Sequence, residues 1–194
     1  MKKQFILILF ASFFFLQTFS QQYSVDIPHA SSLYAKQKMY NWCWAACNQM
    51  LLTAKDIDES QEHQSTKVFG GVVDRGAGSN YELAKTGLGG TYQNSSGNTV
   101  TIVPYISYLS QRNSNDPIVI INHLQDGIPI VMATIQHGRV CVGVDYVKNG
   151  NYYQITKIRV LDPCIDGCSS KIIEYTMQGL LSQGLIGFMT YNVR

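Results

Sequence analysis

Charged side chains are scarce in this sequence. They make up 14% of its 194 residues, and 15 Lys and Arg set against 13 Asp and Glu leave a formal charge of +2. Electrostatic binding of nucleic acid or of an anionic membrane needs a concentrated excess of cations. None is present, so function is to be sought in a site and not on a charged face. Repeats are missing as well, and no low-complexity tract occurs outside the N-terminus, so a chain of this length is expected to form one domain with a substantial core. The N-terminal segment has no cysteine at its end, which argues against a lipoprotein.

What the N-terminus does have is the layout of a secretory signal. Lys2 and Lys3 precede an uncharged apolar run from Phe5 to Phe15, and Thr18-Phe19-Ser20 brings small polar residues to the cleavage region. Residues 1–20 are therefore expected to be removed near Ser20 or Gln21. The apolar run is short for a membrane span and no stop-transfer pattern follows it. The product, residues 21–194, is expected to be secreted to the extracellular space or periplasm, without stable membrane insertion.

Along that product, Tyr23–Ile27 alternates as a short strand. From Cys43 to about Ala54, Trp44, Cys47, Met50 and Leu51 recur at three- and four-residue steps, which predicts a helix with one buried face. Residues 55–97 are polar and glycine-rich, read as loops with a short helix around Tyr81–Lys85. Pro104–Gln111 suggests a helix, and Asp116-Pro117 starts another that runs through Leu124. Ile128–Ile135, Arg139–Val147, Tyr152–Leu161, Lys171–Tyr175 and Leu185–Tyr191 are strand-like, with a hairpin turn at Asn149-Gly150-Asn151. Helices first and antiparallel strands second make an α+β arrangement.

The chemistry gathers in Gln37–Met50, QKMYNWCWAACNQM. A nucleophilic cysteine benefits from a helix N-terminus, whose free amides and positive dipole end favour the thiolate. Asn41 is a suitable cap for a helix beginning near Cys43. Gln37, six residues before Cys43, is placed to offer a side-chain amide to a developing oxyanion. The bland alternative is a buried helix whose cysteines are small apolar side chains. The Gln37, Cys43-Trp44 arrangement resembles the papain-like cysteine proteases. Within them, WCWAAC looks most like the short secreted bacterial branch of staphopain-like and effector-type enzymes. It departs from papain proper, which has a cysteine three residues before the nucleophile and a small residue just before it; here Tyr40 and Trp42 stand there.

A thiol nucleophile needs a histidine partner, and His29, His63, His123 and His137 are the candidates. His29 and His63 fall in predicted loops and His123 inside an amphipathic helix. His137 opens the strand HGRVCVGVDY, whose small apolar residues and Gly143 resemble the histidine strand of papain-like enzymes. A third group must hold the imidazole. In those enzymes it closes a later strand, and here ITKIRVLDPC ends in Asp162-Pro163. Asp145 and Asp166 are less well placed rivals.

Five cysteines in an exported chain leave one thiol unpaired, and Cys43 would be that thiol. Cys47 is one helical turn beyond Cys43 and Cys141 four residues beyond His137, so packing of helix on strand should bring Cys47 to Cys141 as a candidate disulfide. Cys164 and Cys168 could close a small loop. A four-cysteine metal site would need a second matching CxxxC pair, and export disfavours it.

The resemblance implies a papain-like α+β domain over 21–194, with the nucleophile helix packed on a C-terminal antiparallel sheet or half-barrel. It implies a cysteine endopeptidase acting on protein or peptide without cofactor or metal. Cys43, His137 and Asp162 would form the triad, Gln37 the oxyanion hole, and Trp44 would pack under the site as a substrate-binding or shielding residue. A tryptophan belonging only to the core fits Trp44 equally. Gln37 lies so near the processed terminus that no inhibitory pro-domain is expected, leaving restraint to a separate inhibitor or immunity protein. Cell-wall peptide amidases and other acyl-transfer enzymes could use the same residues, and an inactive binding module could keep them.

Overall fold

The computed structural model describes residues 21–76, 81–108, 116–164, 166–167 and 171–194. The predicted signal segment and Cys168 lie outside the described residues. Among those described, eight strands form one antiparallel sheet: β1 (Gln21–Asp26), β2 (Gly90–Gln93), β3 (Thr99–Tyr108), β4 (Ile130–Thr134), β5 (Gly138–Asn149), β6 (Tyr152–Leu161), β7 (Ile173–Thr176) and β8 (Leu185–Val193). Their order is β2-β3-β8-β4-β5-β6-β7. One side of β5 is shared, by β4 along Ile130–Ala133 and by β1 along Gln21–Asp26. The other side belongs to β6.

Among the described residues five helices accompany the sheet: α1 (Cys43–Thr53), α2 (Gln61–Phe69), α3 (Tyr81–Leu88), α4 (Asp116–Gln125) and α5 (Met177–Ser182). α1 lies between the sheet and the other N-terminal helices, touching β5 and β4 on one side and α2 and α3 on the other. Its Met50, Leu51 and Leu52 are fully buried with Ile130, Val140 and Tyr191 of the sheet. The Tyr191 hydroxyl donates to Leu51 O at 3.0 Å, tying β8 to the end of α1. A buried hydrogen bond of this kind contributes about 1 kcal/mol net. Among the described residues no helix is long and apolar enough to cross a membrane.

The α+β class holds, but the division of helices from strands is not clean. The region predicted as a helix from Pro104 is strand β3; residues 109–111 of that prediction lie outside the described residues. Thr99–Val103 is a run of β-branched residues, which favours a strand. Pro104 is tolerated because β2 stops pairing at Ile102, so β3 has only β8 beside it there. Helix α2 replaces part of the expected loop region, and its polar packed face explains the difference: Gln61, Gln64 and Ser65 are buried. Its ends are nonetheless conventional, with Ser60 Oγ accepting from His63 N and Gly70 left-handed at φ 77°.

Candidate active site

Cys43 is the first residue of α1. The cap position is held by Trp42, and no side chain caps this end. Asn41, predicted as the cap, instead uses its backbone N–H to donate to Asp74 Oδ1 at 2.8 Å. The helix starts one residue too late for it, because the fully buried Trp42 ring occupies the cap position while its Nε1 donates to Val73 O at 2.7 Å. An uncapped N-terminus leaves first-turn amides and the positive end of the dipole open to the sulfur. Backbone hydrogen bonds from Gly138 and Trp44 reach the Cys43 sulfur.

His137 meets that sulfur from the turn between β4 and β5. Thr134 clamps the turn, its N–H and Oγ1 both donating to His137 O at 2.8 and 3.1 Å. The imidazole shares one hydrogen bond with Cys43 and another, through Nε2, with Asp162 Oδ1 at 2.7 Å. Nε2 being taken, Nδ1 is the nitrogen that serves the sulfur. Asp162 stands just past the end of β6, one step beyond the Val140–Leu161 pair, and so opposite Arg139. Arg139 Nε donates to Asp162 Oδ2 at 2.8 Å, and Cys164 N to Oδ1 at 3.2 Å. The carboxylate is thus held from three directions.

These contacts set the charges. Burial pushes the Cys43 thiol up, but the hydrogen bond from His137, that from Gly138 and the imidazolium charge outweigh it and bring the thiol below its ordinary value. Burial opposes the His137 cation, yet hydrogen bonds to Asp162 and Cys43 raise it to about 9. For Asp162, burial is overcome by its hydrogen bond and attraction to His137 and by those to Arg139, which hold the carboxyl below the usual range. The arrangement favours the thiolate of Cys43 over an ordinary thiol, beside an imidazole that holds its proton to about 9 and is backed by a carboxylate.

Gln37 is buried in the loop before α1. Its backbone N–H donates to Pro163 O at 2.7 Å, joining this loop to the segment that carries Asp162. Its Nε2 donates to Met39 O and Tyr40 O at 3.1 and 2.7 Å, so both amide hydrogens shape the loop. To meet an oxyanion, one of them would have to be released. Trp44 packs against the helices that flank α1. Its ring is almost fully buried on the helical side, edge-on to Phe69, and Nε1 donates to Arg75 O at 3.0 Å. It cannot line an open cleft. The cause is its place on α1, on the flank that faces α2 and α3.

The predicted Cys47–Cys141 bridge is also corrected: both are free, buried thiols. Gly138 is the β5 residue that faces Cys47, a Cβ there lying 3.4 Å from its sulfur. Cys141 is an odd number of residues further along the strand and so points to the opposite face. There its neighbours are Gly143, Arg159 and Asp26. Counting from His137 went wrong because His137 belongs to the turn and not to the strand's pleat. The Cys164–Cys168 pair falls outside the described residues with Cys168.

The remaining histidines have other engagements. His29 adopts a left-handed conformation before the 3-10 turn Ala30–Leu33, His63 of α2 pairs with Glu59 in the segment before that helix, and His123 bonds Val119 O and Tyr105. Asp145 is bound to Arg159 at 2.7 Å. Sequence reasoning missed Arg139, although its strand position beside His137 and opposite Asp162 follows from the register. It also missed Gln61, which joins Lys36 and Lys38 of the pre-nucleophile loop to Gln49 of α1. Ser65, bonded to Gly71 and Val73, holds the loop that both tryptophans grip. Among the described residues no group of three or more His, Cys, Asp or Glu is suited to hold a metal ion. The chain matches no protein-family model and no curated protein.

Proposed function

We propose that this chain is a secreted cysteine peptidase of papain-like type, with Cys43 as nucleophile, His137 as acid and base, and Asp162 as the group that orients the imidazole. The hydrogen-bonded series Cys43–His137–Asp162 carries this reading. The Cys43 thiolate attacks a peptide carbonyl carbon, and the oxyanion is received by the Cys43 N–H and by the Gln37 amide once it leaves a loop carbonyl. The C–N bond breaks as the imidazolium gives its proton to the departing amine. Water, deprotonated by the now neutral His137, then cleaves the acyl-enzyme thioester and restores the pair.

Exposed apolar side chains occur on segments bound to this site: Tyr40 in the loop that carries Gln37, Val72 and Val73 in the loop held by Trp42, and Ile135 in the turn of His137. Apolar residues on such segments suit a polypeptide substrate. The signal-like residues 1–20 support export. An amidase of cell-wall peptides would use the same groups on a different acyl donor.

The test is labelling followed by profiling. An epoxide or iodoacetamide probe should label the native protein and fail on Cys43→Ala, and a diverse peptide library should be cleaved by the former only. Probe labelling that persists in folded Cys43→Ala would refute the assignment. Release of stem-peptide fragments from cell walls without cleavage of any library peptide would favour the amidase.

A further inference from the structure

Arg139 is a large cation, mostly buried, that no step above employs. Its Nε donates to Asp162 Oδ2 at 2.8 Å while Asp162 Oδ1 faces His137 Nε2 at 2.7 Å, so the two oxygens of one carboxylate are divided between the two side chains. The guanidinium carbon lies 5.3 Å from the centre of the Tyr175 ring on β7. Nη1 is buried without a partner among the described residues. Burying a guanidinium with an unmet donor is costly, and an apolar residue of similar volume usually stabilises a fold as well or better. Stability therefore gives no reason for an arginine at this place.

Geometry does. An anionic carboxylate at a strand end can turn about its last bond and offer either oxygen, or an edge, to the imidazole. A planar guanidinium bonded to one oxygen stops that rotation. The ring of Tyr175 and the β5–β6 register hold the guanidinium in its turn. We propose that Arg139 is a positioning residue for the catalytic base: by occupying Asp162 Oδ2 it keeps Oδ1 aimed at His137 Nε2, and so keeps Nδ1 aimed at Cys43. The inference rests on the Cys43–His137–Asp162 reading. It adds a fourth member that acts only through the third.

The test compares Arg139→Gln and Arg139→Lys with the unaltered protein, folded state being checked by near-ultraviolet circular dichroism. Two quantities are read: the rate of Cys43 alkylation by iodoacetamide at pH 7, and the downfield proton resonance of the His137 Nε2–H bonded to Asp162. In Arg139→Gln the resonance should broaden into solvent exchange and alkylation should slow by roughly 10- to 100-fold, the cost of a misdirected catalytic group. Arg139→Lys keeps the charge without the planar fork and should fall between. A folded Arg139→Gln that matches the unaltered protein in both readouts overturns the proposal. So does a fully normal Arg139→Lys, which decides the matter if Arg139→Gln does not fold. If the unaltered protein itself shows neither the resonance nor preferential alkylation of Cys43, the triad reading falls and Arg139 with it.

Discussion

His137 and Asp162 face each other at 2.7 Å across the ends of two neighbouring antiparallel strands, the imidazole entering β5 and the carboxylate leaving β6. Because β5 and β6 pair from Val140–Leu161 onward, a single ladder fixes both approaches. The helix that brings the sulfur packs on the same strand, β5.

The three described free thiols should differ sharply in reactivity. Cys43 is partly exposed with its thiol lowered, whereas burial raises Cys47 well above the ordinary value and Cys141 to about 12. Brief treatment of the native protein with iodoacetamide at pH 7 should modify Cys43 and leave Cys47 and Cys141 unmodified until the chain is unfolded. Peptide mapping by mass spectrometry reads the outcome, and early label at Cys47 would contradict the burial described.

The His137 imidazole should keep its proton to about pH 9. Its folded value lies above the ordinary 6.5, so the stabilisation carried by the cation is complete below 6.5 and is lost as pH rises through about 9. Cys43→Ala removes the sulfur's hydrogen bond and charge but leaves those of Asp162. His137 in that variant should titrate below about 9, as followed by NMR of the ring carbons. An unchanged titration would mean that the sulfur and the imidazole do not interact.

Asp162→Ala should destabilise the fold as well as stop the chemistry, because it strands Arg139 and His137. Loss of one partner from a buried pair costs about 3 kcal/mol, measurable as a lower urea midpoint. Asp162→Asn keeps an acceptor for one of them and should lose less. In the unaltered protein the Asp162 share of stability is full above about pH 4 and declines on acidification through its lowered value. Equal midpoints for Asp162→Ala and the unaltered protein would show the pair to be energetically idle.

Trp42→Phe retains a ring in the core but loses the donor to Val73 O. The expected cost is about 1 kcal/mol, with faster cleavage of the 71–75 loop under limited proteolysis. The Ser65 hydroxyl, bonded to Val73 N and Gly71 O, holds the same loop from α2. Ser65→Ala should sensitise the same bonds; cleavage confined to other loops would deny the tryptophan its anchoring role.

Local chemistry carried much of this into the sequence. The α1 start at Cys43, the Asp116-Pro117 start of α4, the Gly150 turn and the β6 limits Tyr152–Leu161 were legible because each depends on neighbours in the chain: apolar period, a first-turn proline, a turn glycine. Cys43, His137 and Asp162 were singled out because the segments that carry them resemble those of papain-like enzymes, and the fold brings the three side chains together. Polar packing was not. The buried glutamines of α2 give no apolar period, and Pro104 looks like a helix start until β2 is known to end at Ile102.

The sequence by itself determined the elements whose signals are local, among them α1, α4 and the β5–β6 hairpin, and the residue types at their ends, since those follow from backbone preferences within a few residues. Which face each residue occupies was decided only by tertiary structure. Cys141 turns from Cys47 because the pleat is counted from Gly138, Trp44 faces α2 and α3 because α1 is wedged between them and the sheet, and Arg139 reaches Asp162 only once β5 and β6 have paired in register.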